Sequence, residues 1–242
     1  MAEWFASVKA EFELNFIKAD RWEYLVTGLG NTLLLTLVAL IVGVLIGVVV
    51  AAVRSTYDKT AETARPSFGR RVFGFFNGLC KVYLTVVRGT PVVVQVMIFF
   101  YVIFATAKDG TMVAALAFGI NSGAYVAEII RGGIMSIDNG QFEAGRSLGF
   151  NYLQTMRYII VPQTIKNVLP SLMNEFIALL KETSVAGYVA VQDLTKAGDI
   201  IRSRTLAPFM PLLAVALVYL IMVVVLSAGV SRLERRLRNG TR

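Results

Sequence analysis

The sequence predicts an all-α integral membrane protein with five membrane-spanning helices and short cytoplasmic helices between two of them. Of the 242 residues, 56% are hydrophobic and only 17% are charged, whereas a soluble domain carries about 25% charged residues. Residues 33–53 and 206–230 contain no charged side chain, and each run is long enough to cross a bilayer as a helix. The net charge of +8 is concentrated beside these runs, so it does not require nucleic acid as a partner.

Three weaker spans lie between the two long apolar runs. Residues 91–107 and 111–127 are apolar except for an amide in each and several hydroxyl groups, and residues 168–180 include a carboxylate. Polar groups in a span are usually shielded inside a helix bundle, because hydrocarbon cannot satisfy their hydrogen bonds. The prediction is therefore five spans, of which these three face protein rather than lipid.

The first 27 residues predict an amphipathic helix at the outer membrane surface. Phe5, Val8, Phe12 and Phe16 recur at helical spacing, and the segment carries more acidic than basic residues. This pattern is typical of a helix that lies in the membrane interface. A short cap packed on the membrane domain remains the alternative.

Basic residues predict the orientation of the chain, because Lys and Arg collect on the cytoplasmic side. They concentrate after the first span (Arg54, Lys59, Arg65, Arg70, Arg71, Lys81) and around the C-terminal tail, residues 233–242 (Arg232, Arg235, Arg236, Arg238, Arg242). With five spans, the N-terminus lies outside and the C-terminus lies in the cytoplasm. The segment 182–205 then lies outside although it holds Lys196, Arg202 and Arg204, which the rule disfavours.

Residues 138–162 are polar although apolar runs surround them, and they predict two short cytoplasmic helices joined at a glycine. The run Asp138-Asn139-Gly140 is typical of a turn and N-cap. Glu143 is expected in the first helical turn, where a negative charge suits the helix dipole. Gly149 is expected to end the first helix in the left-handed conformation.

The second short helix is predicted by a capping box. Asn151 is followed three residues later by Gln154, the spacing that lets each side chain bond the other's backbone. Pro162 is expected to mark the return towards the membrane. One apolar stripe is expected along the segment, formed by Leu148, Tyr152, Met156 and Ile159. Such a mixed surface suits docking into a cleft on a soluble partner.

Glu175 is a carboxylate inside a short span, where an uncompensated charge costs about 2.5–3.5 kcal/mol. It is either a pathway site for an ammonium or guanidinium group or a structural partner of a neighbour such as Lys181. Neutral polar groups at membrane depth have the same two interpretations, because their hydrogen bonds can bind a zwitterion or join helices. These groups are Gln95, Asn121, Ser122, Tyr125 and Asn174.

Other features have packing or local explanations. Glu128 and Arg131 are three residues apart and predict a local ion pair. The pair Gly132-Gly133 is either a hinge or a site of close packing. Gly43 and Gly47 form G-x-x-x-G, which favours close helix packing.

Composition excludes several classes of site. The chain has no histidine, so a His-based catalytic dyad and a His-ligated metal are excluded. Cys80 is the single cysteine, so no intrachain disulfide forms. The sequence has no G-x-x-x-x-G-K-[ST] phosphate loop, so ATP must be handled by another chain.

Four motifs, in order, resemble the permeases of ABC importers for polar amino acids. They are RGTP at 88–91 followed by Gln95, NSGAY-x-A-E-x-x-RGGI at 121–134 followed by Gly140-Gln141, the EAA loop from Glu143-Ala144-Gly145 through Gly149 to Ile159-Ile160-Val161-Pro162, and LKETS at 180–184. The likeness runs in register over residues 28–236. Gly145 replaces an alanine of the EAA pattern and Val161 replaces a leucine, and the extra glycine is expected to loosen the first helix. The loop 56–67 is longer than usual in this family and has no assigned role.

The resemblance implies the type I ABC importer permease fold, with the transmembrane domain over residues 28–232. This chain would be the permease subunit that moves a polar or cationic amino acid of the arginine, lysine, histidine or glutamine class through a bacterial cytoplasmic membrane. Its partners would be a second permease subunit, identical or related, two ABC ATPases that carry Mg-ATP, and an extracytoplasmic substrate-binding protein. The chain itself would be no enzyme and would bind no cofactor or metal.

The resemblance also assigns roles to residues. Coupling to the ATPase falls to Glu143, Ala144, Gly145, Gly149 and Pro162. The residues assigned to a gate or hinge are Arg88, Gly89, Thr90, Pro91, Lys181 and Glu182. The alternatives are a simple helix start at Pro91 and a solvated helix end at Lys181. The polar residues at membrane depth, with Glu175, would form the substrate pathway.

Two other classes of function compete with this one. An ion-coupled secondary transporter would use Glu175 or Glu128 as its proton site, but such transporters are built from inverted repeats, and the sequence shows no convincing internal repeat. An integral-membrane enzyme ranks last, because the chain lacks histidine and has no paired carboxylates at a plausible shared site.

Overall fold

The computed structural model describes residues 1–60 and 67–239, and every regular element in that part of the chain is helical. The α-helices, numbered in chain order, are α1 (Ala2–Phe12), α2 (Trp22–Lys59), α3 (Phe68–Arg88), α4 (Val92–Ile98), α5 (Gly110–Met135), α6 (Asn139–Ser147), α7 (Tyr152–Thr155), α8 (Val161–Glu182), α9 (Leu194–Thr205) and α10 (Phe209–Asn239). Short π turns at Glu13–Ile17, Phe99–Ile103 and Met156–Ile160, and 3₁₀ turns at Lys18–Asp20 and Thr183–Val189, extend or join them.

The helices divide into two compact units. Unit 1 comprises Met1–Ala39, Val92–Phe118 and Ile177–Ala228, and unit 2 comprises Leu40–Pro91, Gly119–Phe176 and Gly229–Arg242. The long helices α2, α5, α8 and α10 each contribute one part to each unit. Each unit therefore combines parts of long helices with shorter helices of its own.

Three helices in the described part of the chain are long and apolar enough to cross a membrane: α2, α5 and the Phe209–Leu237 part of α10. A fourth is present if α3 and the segment Val92–Ile103, which meet at a bend, form one broken span. α8 contains the expected span 168–180 but does not reach the same apolarity, and it has Pro170 in its interior. The number of five spans therefore stays a prediction.

Small residues bring α2 and α5 together in unit 2. A Cβ on Gly47 would lie 2.4 Å from Val126 Cγ1, and a Cβ on Gly43 would lie 3.2 Å from Ser122 Cβ. A side chain at Gly47 would push the helices apart, so the close packing expected from G-x-x-x-G is confirmed. The buried core beside this contact consists of Val50, Leu84, Ala124 and Ala127.

In unit 1, the first part of α2 packs against the start of α9. A Cβ on Gly28 would lie 2.7 Å from the carbonyl oxygen of Asp193, so only glycine allows this approach. The Leu194 N–H donates a hydrogen bond to Thr32 Oγ1 at 3.0 Å. These contacts attach a helix that follows α8 to the first long helix of the chain.

The N-terminal segment is helical but irregular. Ala19 and Asp20 have positive φ angles of 57° and 49°, and α2 begins directly afterwards, at Trp22. Phe5 and Phe12 are exposed, whereas Phe16 is buried, so the apolar face expected here is divided between surface and core. Its location at the membrane surface stays a prediction.

Two helices, α3 and α9, lie where the sequence analysis placed loops. α3 is amphipathic, with apolar side chains exposed along one face: Phe68, Val72, Phe75, Phe76, Leu79, Val82 and Val86. Residues 56–59, expected in a loop, form the last turn of α2. Residues 61–66 of that loop, Arg65 among them, and Arg242 of the tail lie outside the described residues.

Candidate coupling elbow and polar sites

The elbow formed by residues 138–162 begins with a capped helix. Asp138 Oδ1 accepts a hydrogen bond from the Gly140 N–H at 2.6 Å, which confirms the expected N-cap of α6. The first turn of α6 holds no acidic residue, so the position expected for Glu143 was wrong. Because α6 starts at Asn139, Glu143 lies in the second turn, where it and Ala144 are exposed.

Gly149 ends α6 in the left-handed conformation, with φ of 79°, as expected. The Gly149 N–H donates to the Arg146 carbonyl at 2.9 Å, and the Phe150 N–H donates to the Gly145 carbonyl at 3.0 Å. These two bonds form the Schellman motif, which satisfies the last carbonyls of a helix. No atom lies within 4 Å of a Cβ built at Gly149, so backbone conformation and not crowding requires the glycine.

The next helix, α7, starts with the expected capping box. The Asn151 N–H donates to Gln154 Oε1, and the Gln154 N–H donates to Asn151 Oδ1, both at 2.9 Å. The helix then continues through the π turn Met156–Ile160 into α8, and Pro162 lies in the first turn of α8. Pro162 is the second residue of α8, in the first turn, where a proline is tolerated, and it does not interrupt the helix.

Gly145 allows a very close approach between α6 and α7. A Cβ there would lie 2.6 Å from Thr155 Oγ1 and 2.7 Å from its Cγ2. Thr155 is only 2% exposed, and its hydroxyl donates to the Asn151 carbonyl at 3.1 Å, so its side chain is held in place. The glycine that departs from the EAA pattern therefore allows α6 and α7 to pack closely, and the expected loosening of the first helix stays a prediction.

Exposed apolar side chains cover part of the elbow. Leu148, Leu153 and Tyr158 are 69%, 76% and 60% exposed. The single apolar stripe expected here was wrong, because Met156 and Ile159 pack instead on a buried isoleucine cluster. The outer surface of the elbow thus combines exposed leucines with the carboxylate of Glu143.

Five charged side chains of unit 2 meet in a network, called the charge cluster below: Arg54, Asp58, Arg88, Glu128 and Arg131. Arg131 is central, with Nη2 3.3 Å from Glu128 Oε2 and Nη1 3.5 Å from Asp58 Oδ2. This confirms the local Glu128–Arg131 pair. Arg54 reaches Asp58 at 3.8 Å, and Arg88 reaches Glu128 at 3.9 Å. The cluster has three cations and two carboxylates.

Two of the polar residues expected in the pathway are hydrogen-bonded to each other in unit 2. Ser122 Oγ of α5 donates to Glu175 Oε1 of α8 at 2.9 Å. Ser122 and Asn121 are buried, Glu175 is half-buried, and Asn174 is exposed. A serine hydroxyl is therefore one partner of the carboxylate in the short span.

The RGTP motif lies at the break between α3 and α4. Arg88 ends α3, with its guanidinium carbon 5.6 Å from the centre of the Tyr125 ring. Gly89 N–H donates to the carbonyl of Thr85 at 3.0 Å, and Thr90 Oγ1 donates to that of Val86 at 2.9 Å. Helical structure resumes after Pro91, and Gln95 lies half-buried on α4, in unit 1.

Lys181 and Glu182 end α8 in unit 1. Lys181 is exposed, and Glu182 is half-buried; burial raises the pKa of Glu182, although the charge of Lys181 opposes this. After the 3₁₀ turn, the buried Asp193 caps α9 by accepting hydrogen bonds from two backbone N–H groups at 3.0 and 3.1 Å. Burial raises the pKa of Asp193, against the effect of these bonds.

Arg54 and Asp58 were missed as site residues in the sequence analysis. Their i, i+4 spacing on α2 indicates a local pair, and they form one. Their connection to Arg131, 73 positions away from Asp58, has no local signal in the sequence.

Comparison with solved structures identifies the class of protein. The chain resembles a permease in the crystal structure of an amino acid ABC transporter with histidines, with a TM-score of 0.76, 38% identity, and coverage of 88% of this chain and 94% of that chain. It also resembles a chain of the MetNI methionine ABC transporter in inward-facing conformations, with a TM-score of 0.72 over 90% and 98% of the chains. The identity there is 18%, so this second likeness shows the fold alone. The fold is that of a type I ABC importer permease.

Comparison of sequences places the chain in a family. Residues 63–239 match the family described as binding-protein-dependent transport system inner membrane component. The probable glutamine ABC transporter permease protein GlnM of Bacillus subtilis is 36% identical over 220 residues, 90% of this chain and 95% of the relative. The glutamine transport system permease protein GlnP of Escherichia coli is 39% identical over 174 residues, 69% and 80% of the two chains.

The chain belongs to the binding-protein-dependent transport system inner membrane component family, among its permeases for polar amino acids. It is a multi-pass permease subunit of an ABC importer and not itself an enzyme, since ATP hydrolysis belongs to a separate subunit. Family membership implies a partner permease, an ATPase and a substrate-binding protein.

Proposed function

We propose that this chain carries a polar or cationic amino acid, of the arginine, lysine, histidine or glutamine class, into a bacterial cell. The observation that carries this substrate class is Glu175, to which Ser122 donates a hydrogen bond at 2.9 Å. A carboxylate held in place by a hydrogen bond favours an ammonium or guanidinium group as its partner. The names of the relatives, which are glutamine permeases, agree with this class.

The neutral polar residues assigned to the same pathway would supply hydrogen bonds to the rest of the amino acid. Asn121 and Tyr125 lie on α5 with Ser122, and Asn174 precedes Glu175 on α8. Gln95 on α4 is assigned the same role. Hydrogen bonds of this kind orient a zwitterion without a further charge.

The elbow is assigned the role of coupling, through Glu143, Ala144, Gly145, Gly149 and Pro162. Two ATPase subunits carrying Mg-ATP would dock on the elbows of two permease subunits, identical or related, in the cytoplasm. Both sides of the bend are held by backbone hydrogen bonds and caps. A bend fixed in this way transmits a push on α6 into α8, where a flexible loop would absorb it.

The remaining assignments concern the two sides of the membrane. The N-terminus lies outside and the basic tail inside, because Lys and Arg collect in the cytoplasm. Gating is assigned to two places. One is the helix break at Arg88, Gly89, Thr90 and Pro91, and the other is the end of α8 at Lys181 and Glu182. The substrate-binding protein would deliver the amino acid on the outer side.

Reconstitution in liposomes tests the proposal. The permease is assembled with its ATPase and binding protein, and ATP hydrolysis and uptake are measured with arginine, lysine, histidine, glutamine and glutamate. We expect one of the first four amino acids to stimulate both activities. Gly149→Val places a β-branched side chain at a positive φ and should lose assembly or coupling, whereas Gly78→Ala, at a helical glycine with open space around it, should keep both.

The outcomes separate the parts of the proposal. Uptake that needs no ATPase and follows a proton gradient overturns the importer mechanism. If Glu175→Gln changes neither the affinity nor the substrate preference of transport, the pathway assignment of Glu175 is wrong while the importer mechanism stands.

A further inference from the structure

The last turn of α2, residues 56–59, contacts the first helix of the elbow. Lys59 Nζ donates a hydrogen bond to Asn139 Oδ1 at 2.8 Å and lies 4.8 Å from the centre of the Phe142 ring. Both partners belong to α6, and the hydrogen bond joins residues 80 positions apart. An ammonium group that donates to an amide and faces an aromatic ring makes two attractive contacts at once.

The same turn also contacts the second helix of the elbow and the charge cluster. The Tyr152 hydroxyl of α7 donates to Thr56 Oγ1 at 3.3 Å. Asp58, next to Lys59, lies 3.5 Å from Arg131 of α5 and 3.8 Å from Arg54. One helical turn thus touches α6 and α7 on one side and α5 on the other.

These contacts lie at the wall of a cavity and are not embedded in a filled core. A cavity of about 570 Å³ lies between the end of α2, the end of α5 and the elbow, lined among others by Asp58, Lys59, Asn139, Phe142 and Glu143. Few side chains therefore make the connection, and the surrounding packing cannot replace one that is lost.

We infer that the last turn of α2 is a second mechanical connection between the elbow and the membrane helices, with Lys59 as its positioning residue. The first connection is covalent, through α7 and α8. α2 is a continuous helix of 38 residues that packs closely on α5 at Gly47, so a displacement at its end is passed along it. The inference rests on the proposed coupling function and adds a route through α2.

The test compares variants of Lys59 in the assembled transporter in liposomes. Three quantities are measured: the ATPase that copurifies with the permease, the ATP hydrolysis stimulated by substrate, and the amino acid taken up per ATP. In Lys59→Met we expect the ATPase to stay bound and uptake per ATP to fall by about fivefold, the equilibrium effect of one such contact. Lys59→Arg should restore most of the ratio, because a guanidinium also donates and stacks on aromatic rings.

The matched control is Lys81→Met, which removes an exposed lysine of α3 and should leave uptake per ATP unchanged. Asn139→Ala and Phe142→Leu remove the two contacts from the α6 side, and each should lower the ratio in the same direction. These two variants provide the test if Lys59→Met does not accumulate.

The outcomes distinguish failure of this inference from failure of the proposed function. A wild-type transporter without substrate-stimulated ATP hydrolysis overturns the proposed function and the second connection with it. If the wild type is stimulated but Lys59→Met has the same uptake per ATP, the second connection alone is overturned. Loss of the ATPase from the Lys59→Met complex also overturns it, because Lys59 would then belong to the docking contact.

Discussion

The elbow and the charge cluster lie in the same unit but are held together in different ways. The bend of the elbow is held by caps and backbone hydrogen bonds whose two ends are at most five residues apart, as in the Phe150–Gly145 bond, and side chains such as Lys59 and Tyr152 connect it to α2. The charge cluster is held by side chains from α2, α3 and α5, and its central residue, Arg131, contacts Asp58, which is 73 positions away in the sequence. A change at the caps of the bend should therefore have a local effect on stability, whereas a change in the cluster should affect three helices together.

The largest effect is expected at the centre of the cluster, from Arg131→Met. The change leaves the carboxylates of Asp58 and Glu128, each less than one third exposed, with only their more distant arginines at 3.8 and 3.9 Å. Removing the central partner of two half-buried ion pairs costs about 3 kcal/mol, the low end of the value for buried pairs, which lowers the unfolding temperature of a chain this size by about 8 °C. Thermal unfolding in detergent, followed by the reactivity of Cys80, measures the shift.

Lys166→Met is the control for this variant, because Lys166 is exposed on α8 and its loss should not change the unfolding temperature. Equal unfolding temperatures for Arg131→Met and the wild type would show that the cluster does not join the three helices energetically.

The second-largest effect on stability is expected in the elbow, at the glycine that departs from the E-A-A pattern of the family. Gly145→Ala restores the E-A-A pattern, but its Cβ would lie 2.6 Å from Thr155 Oγ1. Overpacking of this kind costs about 2 kcal/mol, so Gly145→Ala should lower the unfolding temperature. In the double variant Gly145→Ala/Thr155→Ala the two shortest contacts disappear and the Thr155 Cβ, at 3.1 Å, remains, so its stability should be close to that of Thr155→Ala. If the two changes are additive, the close approach of α6 and α7 is not what requires the glycine.

The elbow was predicted well from the sequence because its signals are local. Asp138, Gly149 and the Asn151–Gln154 box each act within a few residues, so spacing alone indicates the bond. The position expected for Glu143 was wrong by one turn. Any residue of the run Asp138-Asn139-Gly140 could have been the N-cap, and the sequence alone does not show that it is Asp138. The close packing at Gly145 was not predicted, because it depends on Thr155 in the next helix.

The charge cluster and α3 were predicted less well because their determinants are not local. Glu128 and Arg131 were predicted as a pair from their spacing, but nothing in the sequence connects them to Asp58. Ser122 and Glu175 were each expected at a polar site, and only the fold shows that they are bonded to each other. α3 was taken for part of the loop between the first two spans, although its apolar residues recur at helical spacing.

The third effect is smaller and tests whether the elbow responds locally. Asn151→Ala removes the side-chain acceptor at the start of α7, which costs about 1 kcal/mol. We expect faster hydrogen exchange at the backbone amides of α7 and no change in α2 or α5. Ser147→Ala, at an exposed residue of α6, serves as the control. Faster exchange at Arg54 or Glu128 in the Asn151→Ala protein would contradict the local character of the elbow.

The smallest effect on stability is expected from Arg88→Gln, at the edge of the cluster. Arg88 is 3.9 Å from Glu128 and its side chain is 44% exposed, and Arg131 already lies closer to the same carboxylate. An exposed pair of this kind contributes about 0.5 kcal/mol, and its contact with the Tyr125 ring adds a similar amount. The unfolding temperature should therefore fall by no more than about 3 °C, and salt should reduce the difference further because it screens exposed charges. A fall as large as that of Arg131→Met would make Arg88 an equal structural member of the cluster. A small fall combined with altered transport would instead support its assignment to gating, because the side chain would then affect movement of the helices and not their stability.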